Sequence, residues 1–146
     1  MKLSDLDFPV ASFAKDNITF YARDINELTT CSSVGFKNGF YNNLIIVDSR
    51  GTKCKVIRAV KAGTVGPFWG FSLLHGRWLR VNLELAKMEE ELSLNDFKDK
   101  ILTVFKKDEF FWDSGGELNE LKQSVINANS FKEIISQLCK VFYKES

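Results

Sequence analysis

This 146-residue chain has few side chains suited to metal binding or to nucleophilic catalysis. It has a single histidine, His75, and its three cysteines, Cys31, Cys54 and Cys139, are far apart and outside any Cys-x-x-Cys pattern. The usual cysteine and histidine type of zinc site therefore cannot be assembled from the spacing. Scattered cysteines in odd number are typical of buried thiols in a reducing compartment, so we expect no disulfide framework, no metal and no cofactor.

Motifs of the common catalytic and nucleotide-binding classes are also missing. The chain contains no Gly-x-Ser-x-Gly, no Walker loop and no Gly-x-Gly-x-x-Gly. His75 directly precedes a glycine, which favours a turn residue over a general base. Asp48 and Asp113 stand at the edges of predicted loops, where an aspartate usually organises a turn through its own side chain. We therefore predict that the protein is not an enzyme.

Long apolar runs are absent. No segment approaches the roughly 20 apolar residues of a membrane-spanning helix, and the N-terminus carries two early aspartates instead of a signal-peptide core. The length fits one ordinary domain, and the composition, with 45% hydrophobic and 27% charged residues, is that of a globular protein. We expect a single domain over residues 1–146, located in the cytoplasm and not associated with a membrane.

Acidic residues are missing from one long stretch, although the formal net charge of the chain is only +1. Between Arg50 and Leu83 there is no aspartate or glutamate, and the acidic residues follow mostly from Glu84 to Glu120. The stretch contains seven basic residues: Arg50, Lys53, Lys55, Arg58, Lys61, Arg77 and Arg80. Such a two-sided charge distribution steers the approach of partners.

The first two thirds of the chain predict an antiparallel sheet of about four to five strands. Extended patterns cover 18–23, 44–47, 53–60, 71–74 and 77–85. Asp48 to Gly51 supplies the turn of one hairpin, and His75-Gly76 supplies another turn. Asp24, three residues before Glu27, forms a capping-box pattern that predicts one early helix running through Cys31.

From Ser93 onward the apolar period becomes helical. Ser93 with Asp96, Ser114 with Glu117 and Ser130 with Glu133 each resemble the start of a helix. Apolar stripes follow all three, as at Phe97, Ile101, Val104 and Phe105. Strands followed by three helices predict an α+β domain whose C-terminal helices cover one face of the sheet.

Ten residues are candidates for binding a partner. They are Lys53, Lys55, Arg58, Phe68, Trp69, Trp78, Arg80, Phe111, Trp112 and Asp113. Two aromatic groups, one at Phe68, Trp69 and Phe71 and the other at Phe110 to Trp112, have two interpretations: they seal the ends of the domain, or one stays exposed as an anchor for a protein partner.

The basic residues allow three interpretations. Lysine and arginine beside Trp78 suit nucleic acid, because they neutralise phosphates while the aromatic ring stacks on a base. The chain is not basic overall, which favours a solvated sheet face balanced by Glu84 and Glu89 to Glu91. A third possibility is contact with an acidic protein. A small-molecule pocket near Phe68, Trp69 and Trp78 also stays open.

The order of segments resembles a known class of proteins. Phe20 to Leu28, then Leu44 to Gly51 with its Val-Asp-Ser-Arg-Gly turn, then a lysine-rich strand and a helical C-terminal part, are similar to the small immunity proteins encoded beside bacterial polymorphic or contact-dependent toxins. The resemblance implies a cytoplasmic, non-enzymatic protein that binds one toxin domain and blocks its active site or substrate path. No individual functional residue is carried over.

Overall fold

The computed structural model describes residues 1–14, 19–64, 71–72, 76–113 and 117–143, and it has the predicted α+β architecture. The strands are β1 (Val10–Phe13), β2 (Thr19–Ala22), β3 (Thr30–Ser32), β4 (Ile45–Val47), β5 (Lys53–Thr64), β6 (Phe71–Ser72) and β7 (Gly76–Lys87). The helices are α1 (Ile25–Leu28), α2 (Ser33–Lys37), α3 (Leu94–Lys107), α4 (Glu109–Trp112), α5 (Leu118–Asn127) and α6 (Phe131–Phe142), after a short 3-10 helix at Leu3–Asp5.

The described strands all pair in the antiparallel sense, as predicted. The main sheet has the order β2-β1-β4-β5-β7-β3, and the two-residue strand β6 pairs with β7. The number of strands is thus slightly higher than predicted. The longest pairing joins β5 to β7 and is interrupted by bulges between Val56 and Arg58 and between Lys61 and Gly63. We call these two paired strands the β5–β7 ribbon.

The sheet is packed differently on its two faces. On one face, a cluster that includes Ala11, Phe13 and Val47 packs against α3, α5 and α6, so the three predicted C-terminal helices lie together. On the other face, Val10, Ile46, Cys54 and the inner side of β7 pack with residues of the two short early helices and with Tyr41. The C-terminal helices cover the β2-β1-β4 part of their face.

Helices α3 and α6 begin where the sequence predicts them, whereas α5 begins at Leu118, after an N-cap Glu117 whose side chain forms no capping hydrogen bond. The Ser93 hydroxyl accepts a hydrogen bond from the Asp96 N–H at 3.1 Å, and the Ser130 hydroxyl accepts one from Glu133 at 3.1 Å. The stripe on α3, comprising Phe97, Ile101, Val104 and Phe105, is buried. Side-chain capping and a 3.6-residue apolar period are local features, so they can be read without knowing the rest of the fold.

The predicted early helix is too long. Asp24 does cap α1, since its carboxylate accepts a hydrogen bond from the Glu27 N–H at 2.9 Å, but the helix ends at Leu28. Cys31 instead lies on β3 directly opposite Leu79 of β7, and a second short helix, α2, follows. Pairing with β7 therefore overrides the local helical pattern.

The turn between β4 and β5 is organised by Asp48, which is fully buried. Its carboxylate accepts backbone hydrogen bonds from Asp7 at 3.0 Å, Arg50 at 3.0 Å and Thr52 at 2.9 Å. The Arg50 guanidinium lies 3.2 Å from the same carboxylate. The predicted role of Asp48 as a turn residue is confirmed, and the turn also ties down the N-terminal segment.

Candidate partner-binding face

The register of β5 and β7 brings five of the predicted candidates onto one face of the sheet. Directly opposed residues in a sheet point to the same side, and alternate residues of one strand share a side. On β5, Lys55 is opposite Ala86 of β7 and Arg58 is opposite Glu84. Trp78 and Arg80 lie an even number of residues before Glu84 on β7, so they point to the same side as Glu84 does. Lys53, Lys55, Arg58, Trp78 and Arg80 therefore share one side, together with Val60 and Asn82. We call this side of the ribbon the outer face.

The outer face combines exposed apolar and basic side chains. Trp78 is 40% exposed and Val60 is 41% exposed, and Ile57, at the bulge beside Arg58, is 61% exposed. At the β3 edge, the Arg80 guanidinium donates to the Asn26 side-chain oxygen at 2.7 Å. Ile57 and Val60 are not among the predicted candidates, because the bulge breaks the alternation by which an exposed strand position is recognised.

Part of the positive charge at one end of this face is balanced. The side chain of Lys53 is only 14% exposed, and its ammonium lies 3.5 Å from the Glu90 carboxylate. The two residues belong to an open groove of about 740 Å³, whose lining includes Arg50 and Lys87 on the basic side and Glu89 to Glu91 on the acidic side. Lys53 thus fits the predicted balanced surface, whereas Arg58 lies beside exposed apolar residues.

The Phe110 to Trp112 segment divides into a buried and an exposed part. Trp112 is 4% exposed and packs against Tyr21 and Phe105, with ring centroids 5.8 and 5.0 Å away. Phe111 is 42% exposed, and Phe110 is 94% exposed. The helix lies near β2, at the far end of the sheet from β7, so these aromatics are not part of the outer face. Trp112 seals the core, while Phe110 is left in solvent.

The remaining predicted residues have local roles or lie outside the described residues. The Asp113 carboxylate accepts a hydrogen bond from the Leu118 N–H at 3.2 Å and so caps the start of α5. Phe68, Trp69, His75 and Ser114 fall in the segments outside the description. Of the three residues near which a pocket is predicted, Phe68 and Trp69 therefore lie outside it, while Trp78 lies on the outer face.

The three cysteines are free and buried, as expected of structural thiols. Burial raises the pKa of Cys54 and of Cys139 to about 11, and burial also raises the pKa of Cys31. The thiolate is the reactive form of cysteine. These thiols are poorly placed to act as nucleophiles at neutral pH.

Thiol labelling tests this arrangement. Raising a thiol pKa from 9.0 to about 11 lowers the thiolate fraction at pH 8 about 100-fold, and burial blocks the reagent further. We expect labelling of Cys54 and Cys139 in the native protein with a disulfide reagent at pH 8 to be at least about 100-fold slower than labelling in urea. Rapid modification of any one cysteine in the native state would contradict the burial of that thiol.

Within the described part of the chain, no group of three histidine, cysteine or acidic side chains is placed to hold a metal ion.

A smaller cleft of about 330 Å³ lies between the N-terminal segment and α6 and is lined by Pro9, Arg23, Cys139 and Tyr143, among others. The Arg23 guanidinium stacks over the Tyr143 ring at 4.2 Å from its centroid.

Among the described helices, none has the length and apolar character needed to cross a membrane.

Comparison of this chain with protein-family models, with curated proteins and with solved structures finds no significant match.

Proposed function

We propose that this chain is a non-enzymatic immunity protein, which binds a cognate bacterial toxin domain and neutralises it by occluding its active site or substrate path. The observation that carries the proposal is the exposed apolar and basic surface of the outer face, on which Val60 and Trp78 lie beside Arg58 and Arg80. Tryptophan and arginine contribute most strongly to protein interfaces, and aliphatic side chains around them exclude water.

The position of these residues on strands also favours binding. The residues from Lys53 to Thr64 and from Gly76 to Lys87 form paired strands, so the backbone is ordered before a partner arrives. A preformed surface loses less conformational entropy on association than a flexible loop does. Arg58 and Arg80 add the charge that accelerates encounter with an acidic surface.

Nucleic-acid binding is a second candidate function, because Lys53, Lys55, Arg58 and Arg80 share a face with Trp78. The engagement of Lys53 by Glu90 and the position of Glu84 opposite Arg58 both reduce the positive potential of that face. Ile57 and Val60 are apolar and exposed, which suits a protein surface better than a phosphate backbone. These observations favour a protein partner.

Affinity capture followed by a growth assay tests the proposal. The bait proteins are the unaltered chain, Trp78→Ala, Arg58→Glu and a matched control, Lys132→Glu, whose charge reversal lies on an exposed position of α6. We expect one polypeptide to be retained by the unaltered and control proteins, and to be toxic when expressed alone but harmless when co-expressed with this chain. Trp78→Ala should weaken its binding about 30-fold, the effect of losing about 2 kcal/mol at an interface centre.

Two outcomes would contradict the proposal. Equal retention of the polypeptide by all four baits would show that the outer face is not the interface. Retention of nucleic acid at low salt, with affinity falling steeply as salt rises, would instead favour the nucleic-acid interpretation.

A further inference from the structure

The outer edge of β5 is paired for only part of its length. β4 lies beside Lys53 to Lys55, and the Leu44 carbonyl accepts a hydrogen bond from the Val56 N–H at 2.8 Å. Beyond Val56, β5 continues for eight residues to Thr64 with β7 on its other side. Among the described residues, no strand flanks this second half of β5 on the side away from β7. We call it the open edge.

Backbone hydrogen bonds on the neighbouring strand show which groups point outward at the open edge. The Val81 N–H donates to the Thr29 carbonyl at 2.9 Å, so the backbone of Val81 points away from β5. Val81 is directly opposite Lys61, and this pair is therefore of the non-hydrogen-bonded type, in which both residues turn their N–H and C=O groups away from each other. The N–H and C=O of Lys61 consequently point outward.

Ala59 has the same orientation. Ala59 is opposite Leu83, which is two residues along β7 from Val81. The side to which the backbone N–H and C=O groups point repeats every second residue of a strand, so those of Ala59 also point outward. No described residue forms a hydrogen bond with the outward backbone groups of Ala59 or Lys61. A Cβ added at Gly63, farther along the same edge, would meet no described atom within 4 Å. At the open edge, the N–H and C=O groups of Ala59 and of Lys61 are thus available to pair with another strand.

The basic side chains near the outward backbone groups of the open edge determine which kind of strand can pair there. Arg58 and Lys61 are exposed on opposite sides of β5; Glu84 lies opposite Arg58, whereas Lys61 lies opposite the apolar Val81. Two copies of β5 paired edge to edge in the antiparallel sense would place Lys61 of both copies on the same face of adjacent strands, and like charges there are destabilising. Lysine at a sheet edge is a known protection against such self-pairing. An acidic strand would meet attraction at the same positions.

We propose that the open edge of β5 binds an extended acidic segment of a protein partner as an additional strand of the sheet. Main-chain hydrogen bonds from Ala59 and Lys61 supply the pairing; Lys61 selects for glutamate or aspartate on its side of the sheet, and Val60 contacts the apolar residues that alternate with them on the outer face. This inference rests on the proposed protein-binding function and adds the mode of recognition to it. A segment seated there lies next to Val60 on the outer face, so both surfaces fit within one interface.

The test uses defined peptides and amide hydrogen exchange measured by NMR. The probe is a seven-residue peptide in which glutamate alternates with valine. One control peptide carries lysine in place of glutamate, and a second is the acidic peptide with N-methyl groups on alternate amides, which removes main-chain pairing and keeps the charge. In the free protein, we expect the amides of Ala59 and Lys61 to exchange rapidly, while the Val60 amide, which faces β7, is protected.

Saturation with the acidic peptide should slow exchange at Ala59 and Lys61 at least about tenfold, and both control peptides should bind at least about tenfold more weakly. Lys61→Glu should reverse the preference between the acidic and lysine peptides, whereas Lys132→Glu should leave it unchanged. The proposal is overturned if the acidic peptide does not bind at millimolar concentration, if it binds without protecting these two amides, or if the protein dimerises through them. Because no toxin is used, these results are separate from the capture experiment.

Discussion

Replacing Trp112 with alanine is expected to lower the free energy of unfolding by about 4 kcal/mol, the usual cost of removing a large aromatic side chain from a core. Trp112 is 4% exposed and packs against Tyr21 and Phe105, so its removal leaves a cavity between the sheet and the helices. Urea denaturation monitored by far-ultraviolet circular dichroism measures the change.

Phe110→Ala is the matched control, two positions away in the same helix. Because Phe110 is 94% exposed, its truncation should change the free energy of unfolding by no more than about 0.5 kcal/mol. The comparison separates the two interpretations of the aromatic segment. Equal destabilisation by the two substitutions would contradict the burial of one residue and the exposure of the other.

Asp48→Asn is expected to lower the free energy of unfolding by about 3 kcal/mol, although the side chain keeps its size. One amide oxygen can still accept hydrogen bonds from the N–H groups of Arg50 and Thr52. The amide NH₂ would then face the Asp7 N–H and the Arg50 guanidinium, which are both donors. A buried donor left without an acceptor costs about 1–3 kcal/mol, and loss of the charged partner adds to that cost.

Chemical denaturation of Asp48→Asn beside Asp99→Asn measures this effect. Asp99 is exposed on α3, and its replacement should change the free energy of unfolding by less than about 0.5 kcal/mol. If Asp48→Asn behaved like the Asp99 variant, the hydrogen bonds to the buried carboxylate would contribute little to stability, and the turn would have to be held by other contacts.

Local features of the sequence predicted much of the fold. The caps at Ser93 and Ser130, the buried stripe of α3 and the turn at Asp48 depend on residues within a few positions of one another. Strand β1 was not predicted. Its four residues are all buried, so they lack the alternation of a half-exposed strand, and the segment is too short to be recognised from composition.

Three neighbouring residues show the limit of prediction at the aromatic segment. Phe110, Phe111 and Trp112 are similar in hydrophobicity and adjacent in sequence, yet their exposed fractions are 94%, 42% and 4%. The direction in which a four-residue helix turns its side chains depends on where that helix docks, and docking is decided by α3, α6 and β2. No local pattern contains that information.

The sequence by itself determined the α+β class, the antiparallel pairing, the starts of α3 and α6 and the segregation of charge, because these follow from short-range patterns and composition. Only the tertiary structure decided that Lys55, Arg58, Trp78 and Arg80 share one face, and that half of β5 has an open edge. Both depend on the register between strands distant in sequence, and a bulge of one residue changes which side chains lie together.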